Sequence, residues 1–168
     1  MGDKDKIFSS AVKHNGIFNF AAFYKFCYDW LKDEFGLDPV AEDKYGEKLV
    51  GDAKEINVEW TGTKKMTDYF KYHVKVEFKV LGLTKIELNQ NGAKIDTNKG
   101  SVEIKVKGIL EHDYDGKFDS SPTKAFMRGI YEKWVIKARV KALEGKLAAD
   151  CDEFLTQAKA YLDLEGKK

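Results

Sequence analysis

The chain has 168 residues, a formal net charge of +1, 2 cysteines and 2 prolines. Its hydrophobic content of 43%, with 3 Trp, 8 Tyr and 11 Phe, supplies the core of one domain and excludes a wholly disordered chain. The near-neutral total gives no general indication of a nucleic-acid or membrane partner.

The first elements are a strand and an aromatic helix. Ile7–His14 alternates apolar and polar residues, which predicts a strand that stops at the Asn15–Gly16 turn signal. Asn19 is a suitable N-cap for a helix over Phe20–Phe35, where the apolar residues recur at helical spacing. Gly36 follows as the expected end of that helix.

The middle of the chain alternates with period two, so it predicts an antiparallel sheet with one wet face. Lys54–Thr61 and Tyr69–Leu81 are the clearest strands, and Gly82 predicts a tight turn after the second. Asn91–Gly92 is a strong hairpin signal. Further strands are predicted over Thr84–Leu88, Ala93–Thr97 and Val102–Leu110, with another turn at Asn98–Gly100.

The last part of the chain is helical. Ser121–Pro122 combines an N-cap with proline at the first helical position, and the helical pattern runs to about Leu164. At 1.5 Å per residue an unbroken helix would span roughly 60 Å, which exceeds a small sheet. We expect a break or bend near Gly145 with an additional helix over residues 146–166, or a tail that packs on another subunit. The whole chain, 1–168, is then a single α+β domain.

A strand over Ile7–His14, a helix over Phe20–Phe35, a meander over Lys54–His112 and a long helix over Pro122–Gly145 follow one another. This order is similar to the helix-grip architecture of the START and Bet v 1-like superfamily, in which a curved sheet wraps the C-terminal helix. The resemblance implies an apolar ligand between sheet and helix.

The chemistry-bearing residues give little indication of an enzyme. The histidines, His14, His73 and His112, fall on predicted strands without metal-ligand spacing. The dense run Glu111–Gly116, aligned to a calcium loop, would place Pro122 where a bidentate glutamate is required. We therefore predict no catalytic residue, no cofactor and no metal.

Two short sequence segments carry a second resemblance. Tyr24–Leu31 and Arg128–Tyr131 resemble small archaeal proteins of no assigned activity, which implies no catalytic residues.

The location of the protein follows from its first residues and its cysteines. Residues 1–6 are highly charged and no apolar segment follows them, so neither a secretory signal nor a transmembrane helix is predicted. Cys27 and Cys151 lie far apart within apolar helical patterns, which favours two buried thiols over a disulfide. These features predict a cytoplasmic protein.

The net charge hides acidic and basic segments. Residues 29–59 carry a net charge of −6, whereas residues 60–110 and 124–146 each carry +5. Lys133, Lys137 and Lys141 repeat at four-residue spacing beside Trp134, which suits docking on RNA, the ribosome or an anionic surface. The alternative is a solvated helix face. Lysines on the polar face of the sheet could extend this surface: Lys71, Lys75, Lys79, Lys105 and Lys107.

Many aromatic side chains point inward by period, and they either fill a core or line an apolar pocket. Our sequence-based hypothesis is a non-catalytic domain that binds a hydrophobic small molecule or lipid. The alternatives are the basic docking protein described above and a self-assembling module, a homo-oligomer, whose terminal helix Leu147–Leu162 packs on a partner. The predicted pocket lining is Trp60, Phe70, Tyr72, Phe78, Phe126 and Trp134.

Overall fold

The computed structural model describes residues 3–116, 121–131, 133 and 137–166. It has an α+β fold in which one five-stranded antiparallel sheet is covered on one face by helices. The elements are β1 (Asp3–Phe18), α1 (Phe20–Trp30) continued by a π-helical turn (Leu31–Phe35), β2 (Val40–Val50), β3 (Ala53–Lys65), β4 (Phe70–Gln90), β5 (Ala93–His112), α2 (Pro122–Ile130) and α3 (Lys137–Gly166).

The strand order is β1-β5-β4-β3-β2, so β3 to β5 form the predicted meander, β2 adds an edge strand beside β3, and β1 pairs with β5 at the other edge. Alternate residues of the central strands are buried, as in Val74, Val76 and Phe78 on β4. α1 and α3 cover this inner face, and α3 packs mainly on β1 and β5. The opposite, outer face carries the lysines and glutamates, as the period-two pattern predicts.

The strands are longer than the sequence predicts, because three turn signals lie within strands. β1 continues through Asn15–Gly16 to Phe18, with Gly16 paired to Gly100. Asn98–Gly100 lies within β5, and Gly82 forms an irregularity within β4, where the register shifts between Leu81 and Thr84. The predictions of turns at these three places are wrong, since strand pairing on both sides outweighs a local turn preference. Asn91–Gly92 does form the predicted hairpin, with positive φ at both residues.

β2 has no counterpart among the predicted strands. Most of its residues are exposed, because it is an edge strand that buries almost nothing. Without a buried face there is no hydrophobic alternation to detect.

The structure confirms the predicted aromatic helix over Phe20–Phe35, as α1 and the π-helical turn that continues it. The side chain of Asn19 accepts a hydrogen bond from the backbone N–H of Ala22, and Gly36 ends the π-helical turn at φ 83°. Phe20, Phe23 and Cys27 are buried on its inner face. The helix is thus held on the sheet by the same residues that gave its periodicity.

The C-terminal helices differ from the prediction. Ser121 caps α2 as expected, accepting from Lys124 N–H. However, α3 runs unbroken through Gly145, so the predicted break and the separate helix over 146–166 are wrong. A glycine within a helix costs about 1 kcal/mol, less than α3 gains from its buried side chains. That apolar face packs on this chain's own sheet and is not free to pack on another subunit; it comprises Leu147, Cys151, Phe154, Leu155, Ala158 and Leu162.

Within the described ranges, none of the helices combines the length and the hydropathy of a membrane span.

Candidate functional site

Trp60 and Phe78, two of the predicted lining residues, lie in the packed interior. Their ring centroids are 4.8 Å apart, and Trp60 lies 4.9 Å from the ring of Tyr24 on α1. Both side chains are at most 2% exposed. The two rings are therefore packed against other rings of the core.

Phe70 and Tyr72, on β4, are also buried. The Tyr72 hydroxyl donates a 2.6 Å hydrogen bond to the carbonyl oxygen of Leu143 and so joins the sheet to α3. Burial raises the pKa of Tyr72 to about 12, because the phenolate would be desolvated. The phenol has a structural partner in α3.

Phe126 and Trp134 do not join these four rings. The expectation that Phe126 faces the core is wrong: its side chain is 70% exposed on α2. Helical periodicity identifies an apolar face, but it does not supply an element to cover that face. Trp134 lies outside the described residues.

α2 is an amphipathic helix that buries none of its residues. Its exposed apolar side chains include Phe126, Met127 at 56% and Ile130 at 43%, and Tyr131 follows at 37%. Tyr131 contacts the ring of Tyr69, with centroids 5.6 Å apart, which places the end of α2 beside the start of β4. We call the exposed set Lys124, Phe126, Met127, Ile130, Tyr131 and Lys133 the α2 surface.

The predicted lysine stripe lies at this same place in the chain. Lys133, Lys137 and Lys141 are all exposed, the first just after α2 and the other two at the beginning of α3. The structure therefore puts the stripe next in sequence to the exposed apolar helix. Sequence reasoning placed the apolar side of this segment in the core and so missed that combination.

Two of the five predicted lysines of the outer sheet face, Lys75 and Lys105, have acidic neighbours. Lys75 lies 3.5 Å from Glu77, and Lys105 lies 3.6 Å from Glu103. Lys71 lies 5.9 Å from the ring centre of Tyr114, and so does Lys65, a lysine that the sequence analysis did not single out. Tyr114 N–H bonds to the carbonyl oxygen of Tyr69, so this cationic and aromatic group adjoins the end of α2.

The three histidines lie on strands, as predicted. His73 Nε2 is 2.7 Å from Glu111 Oε1, and His112 Nε2 is 3.1 Å from Asp5 Oδ2. His14 Nδ1 is 3.8 Å from Asp163 Oδ1. No group of three or more His, Cys, Asp or Glu side chains in the described part of the chain could hold a metal.

The two cysteines are free and fully buried. Burial raises the pKa of the Cys27 thiol well above its usual range, and it raises the pKa of the Cys151 thiol to about 12. A thiol that stays protonated is a poor nucleophile. Neither residue has the environment of a catalytic cysteine.

Clefts open at the sheet's margins. One of about 450 Å³ lies between the start of α1 and the sheet, with Phe20, Leu49, Ile56 and Leu83 among its lining residues. Another, of about 660 Å³, lies between β1 and the end of α3. The volumes are within the range of ligand sites.

Comparison with protein-family models and with curated proteins found no match to this chain.

Proposed function

We propose that the protein docks on a negatively charged lipid surface through the α2 surface and the lysines that follow it. The observation that carries the proposal is the exposure of Phe126, Met127 and Ile130 on a helix that buries none of its residues. An amphipathic helix with aromatic and aliphatic side chains on one side and cations on the other suits the plane of a membrane interface.

The charge of the segment fits an anionic partner. Between Pro122 and Leu143 the sequence contains six basic residues, and Glu132 is the only acid. Each lysine or arginine near an anionic leaflet contributes about 1 kcal/mol of binding. The sequence-based prediction of a cytoplasmic protein is consistent with this proposal, because the cytoplasmic leaflet is negatively charged.

The apolar side chains favour lipid over RNA as the partner. Phosphates need only cations, and bases stack on rings. Met127 and Ile130 serve neither purpose, yet burying the exposed half of each side chain among acyl chains would gain about 1 kcal/mol. A lipid interface therefore uses both halves of the α2 surface.

Co-sedimentation with vesicles tests the proposal. The wild-type protein should sediment with vesicles of phosphatidylcholine and phosphatidylglycerol but not with phosphatidylcholine alone. The double variant Phe126→Ser, Ile130→Ser should bind at least about tenfold more weakly, since it loses two apolar anchors. The matched control is Leu164→Ser, because Leu164 is 65% exposed near the end of another helix, α3. It should bind as wild type.

Equal loss of binding in the Phe126/Ile130 variant and the Leu164 control would contradict the proposal. Binding to RNA that survives the serine substitutions but is lost on Lys133→Gln, Lys137→Gln would assign the surface to a nucleic acid instead.

As a second candidate, we propose that an apolar small molecule binds between the sheet and a helix, at the cleft near α1. The cleft's volume of about 450 Å³ and its lining by Phe20, Leu49, Ile56 and Leu83 support this. Native mass spectrometry of protein purified from its own host should detect a co-purifying ligand. Leu83→Trp should abolish the extra mass, and a Leu83→Trp protein that keeps it would exclude this cleft.

A further inference from the structure

We propose that the cleft between β1 and the end of α3 binds a phosphate group. The site is independent of the α2 surface: α2 lies beside the start of β4, where Phe70, His112 and Asp3 are paired across the sheet. The cleft lies at the other end of β1, against residues 13–17.

Three amines face the cleft against one carboxylate. Lys13, Lys99 and Lys159 line it, and Asp163 is the acid among its lining residues. Lys159 is held in place, since its Nζ lies 2.8 Å from the carbonyl oxygen of Lys13 and 3.4 Å from Asp163 Oδ1. The cleft therefore has an excess of positive charge.

The amine of Lys99, one of the residues that line the cleft, is not neutralised by an acid among the residues the structure describes. Lys99 is exposed on β5, where it is paired with Ile17 of β1, and it has no ion-pair partner among the residues the structure describes. Lys13 differs, because it lies 3.3 Å from Glu103, which is not part of the lining. An anion in the cleft would be the partner that Lys99 lacks.

The imidazole of His14 supplies a second, independent indication of a ligand. Its side chain is 8% exposed, and Nε2 is buried with no hydrogen-bond partner in the described structure. Nδ1 is turned toward Asp163, at 3.8 Å from Oδ1. A buried polar atom without a partner is unfavourable, so a group that bonds to Nε2 on binding would gain free energy.

Gly16 leaves room beside this nitrogen. A Cβ built on Gly16 would lie 3.7 Å from His14 Nε2, so any side chain at this position would stand at the approach to the ring. Gly16 also has a φ of 138°, a conformation that side chains rarely adopt. Gly16 thus leaves the space next to the unpartnered nitrogen free of a side chain.

Lysine amines are donors, and His14 Nε2 is a donor when it carries the ring proton, which the 3.8 Å separation of Nδ1 from Asp163 Oδ1 permits because it is too long for a hydrogen bond. A phosphate offers several acceptor oxygens to these donors, with charge-assisted hydrogen bonds. The shared chemistry is a phosphate dianion, whether free or carried by a small organic molecule. A volume of about 660 Å³ leaves space for the organic part of a phosphomonoester.

The three histidines make the test direct. In a long-range proton–nitrogen NMR spectrum, inorganic phosphate should shift the His14 Nε2 signal and leave those of His73 and His112 unchanged. Lys99→Gln should weaken binding about tenfold, as expected for one charged hydrogen bond. The matched control is Lys85→Gln, because Lys85 is also an exposed strand lysine without an ion-pair partner in the described residues. It should bind as wild type.

Glycerol phosphate in place of inorganic phosphate distinguishes the two sources: tighter binding of the ester identifies an organic phosphate, and equal binding a free one. An unshifted His14 signal at millimolar phosphate would overturn the proposal. So would equal weakening by Lys99→Gln and Lys85→Gln, which would mark a general charge effect.

Discussion

α2 and α3 carry the same kind of helical pattern but have opposite environments. α3 buries Leu147, Phe154 and Leu162 against the sheet and α1, whereas α2 buries nothing and exposes Phe126 at 70%. The difference lies in what each helix can reach, since α3 runs along β1 and β5. An amphipathic pattern specifies a face, and the fold decides whether this face becomes core or surface.

The largest contrast should come from removing a phenylalanine from each helix. Phe154→Ala should lower the free energy of unfolding by about 3–5 kcal/mol, because it leaves a cavity at a fully buried site beside Trp30. Phe126→Ala should change it by less than about 0.5 kcal/mol, as for other exposed positions. Urea denaturation measures both. Equal losses in the two variants would contradict the assignment of Phe126 to the surface.

Two glycines sharpen the same comparison. A Cβ on Gly108 of β5 would lie 2.9 Å from Cys151 Sγ and 3.2 Å from Leu147 Cγ, because α3 crosses the strand there. Gly108→Ala should therefore cost about 1–3 kcal/mol through overpacking. Gly129 of α2 has no atom within 4 Å of that position. Gly129→Ala should leave the thermal midpoint unchanged or raise it, and a fall as large as that of Gly108→Ala would show that α2 is covered.

Tyr72 tests the bond between the sheet and α3. Tyr72→Phe removes the hydrogen bond to the Leu143 carbonyl and should cost about 1 kcal/mol at neutral pH, measured by urea denaturation.

The same residue gives a pH dependence. Burial raises the pKa of Tyr72 from 10.0 to about 12, so from about pH 10 the unfolded chain releases a proton that the folded protein retains. This contribution to stability is present below pH 10 and should be lost as the pH rises to about 12. Tyr72→Phe should flatten that decline in part, since the pKa values of Tyr24 and Tyr45 are also raised to about 12. An unchanged slope in the variant would contradict the burial of Tyr72.

The smallest signal should come from the thiols. Cys27 and Cys151 are fully buried on α1 and α3, with raised pKa values. Neither should react with a thiol-specific chromogenic reagent in the native protein, and both should react in denaturant. Rapid native labelling of Cys151 would indicate that α3 does not stay on the sheet.

The sequence predicted correctly those elements whose local pattern matches the way in which the fold buries them. The alternation of β4 and β5, the Asn19 cap and the Asn91–Gly92 hairpin all describe local structure that burial reinforces. It failed where burial is absent or pairing outweighs a turn preference, as in exposed β2 and at Gly82.

The candidate sites divide in the same way. The lysine stripe could be read from spacing, because Lys133, Lys137 and Lys141 follow helical period. The exposure of Phe126 could not be predicted from the spacing of residues, since it depends on where the sheet ends. The cleft at His14 brings β1 together with Asp163 of α3, 149 positions further along the chain, and no local pattern indicates such a contact.

Hydrogen–deuterium exchange with and without anionic vesicles tests the central claim most directly. In the free protein the amides of residues 122–130 should exchange rapidly, and those of residues 147–162 slowly. Vesicles containing phosphatidylglycerol should slow exchange in α2 and leave α3 unchanged. Slow exchange of α2 in the free protein, or no change in α2 with vesicles that bind the protein, would contradict the account.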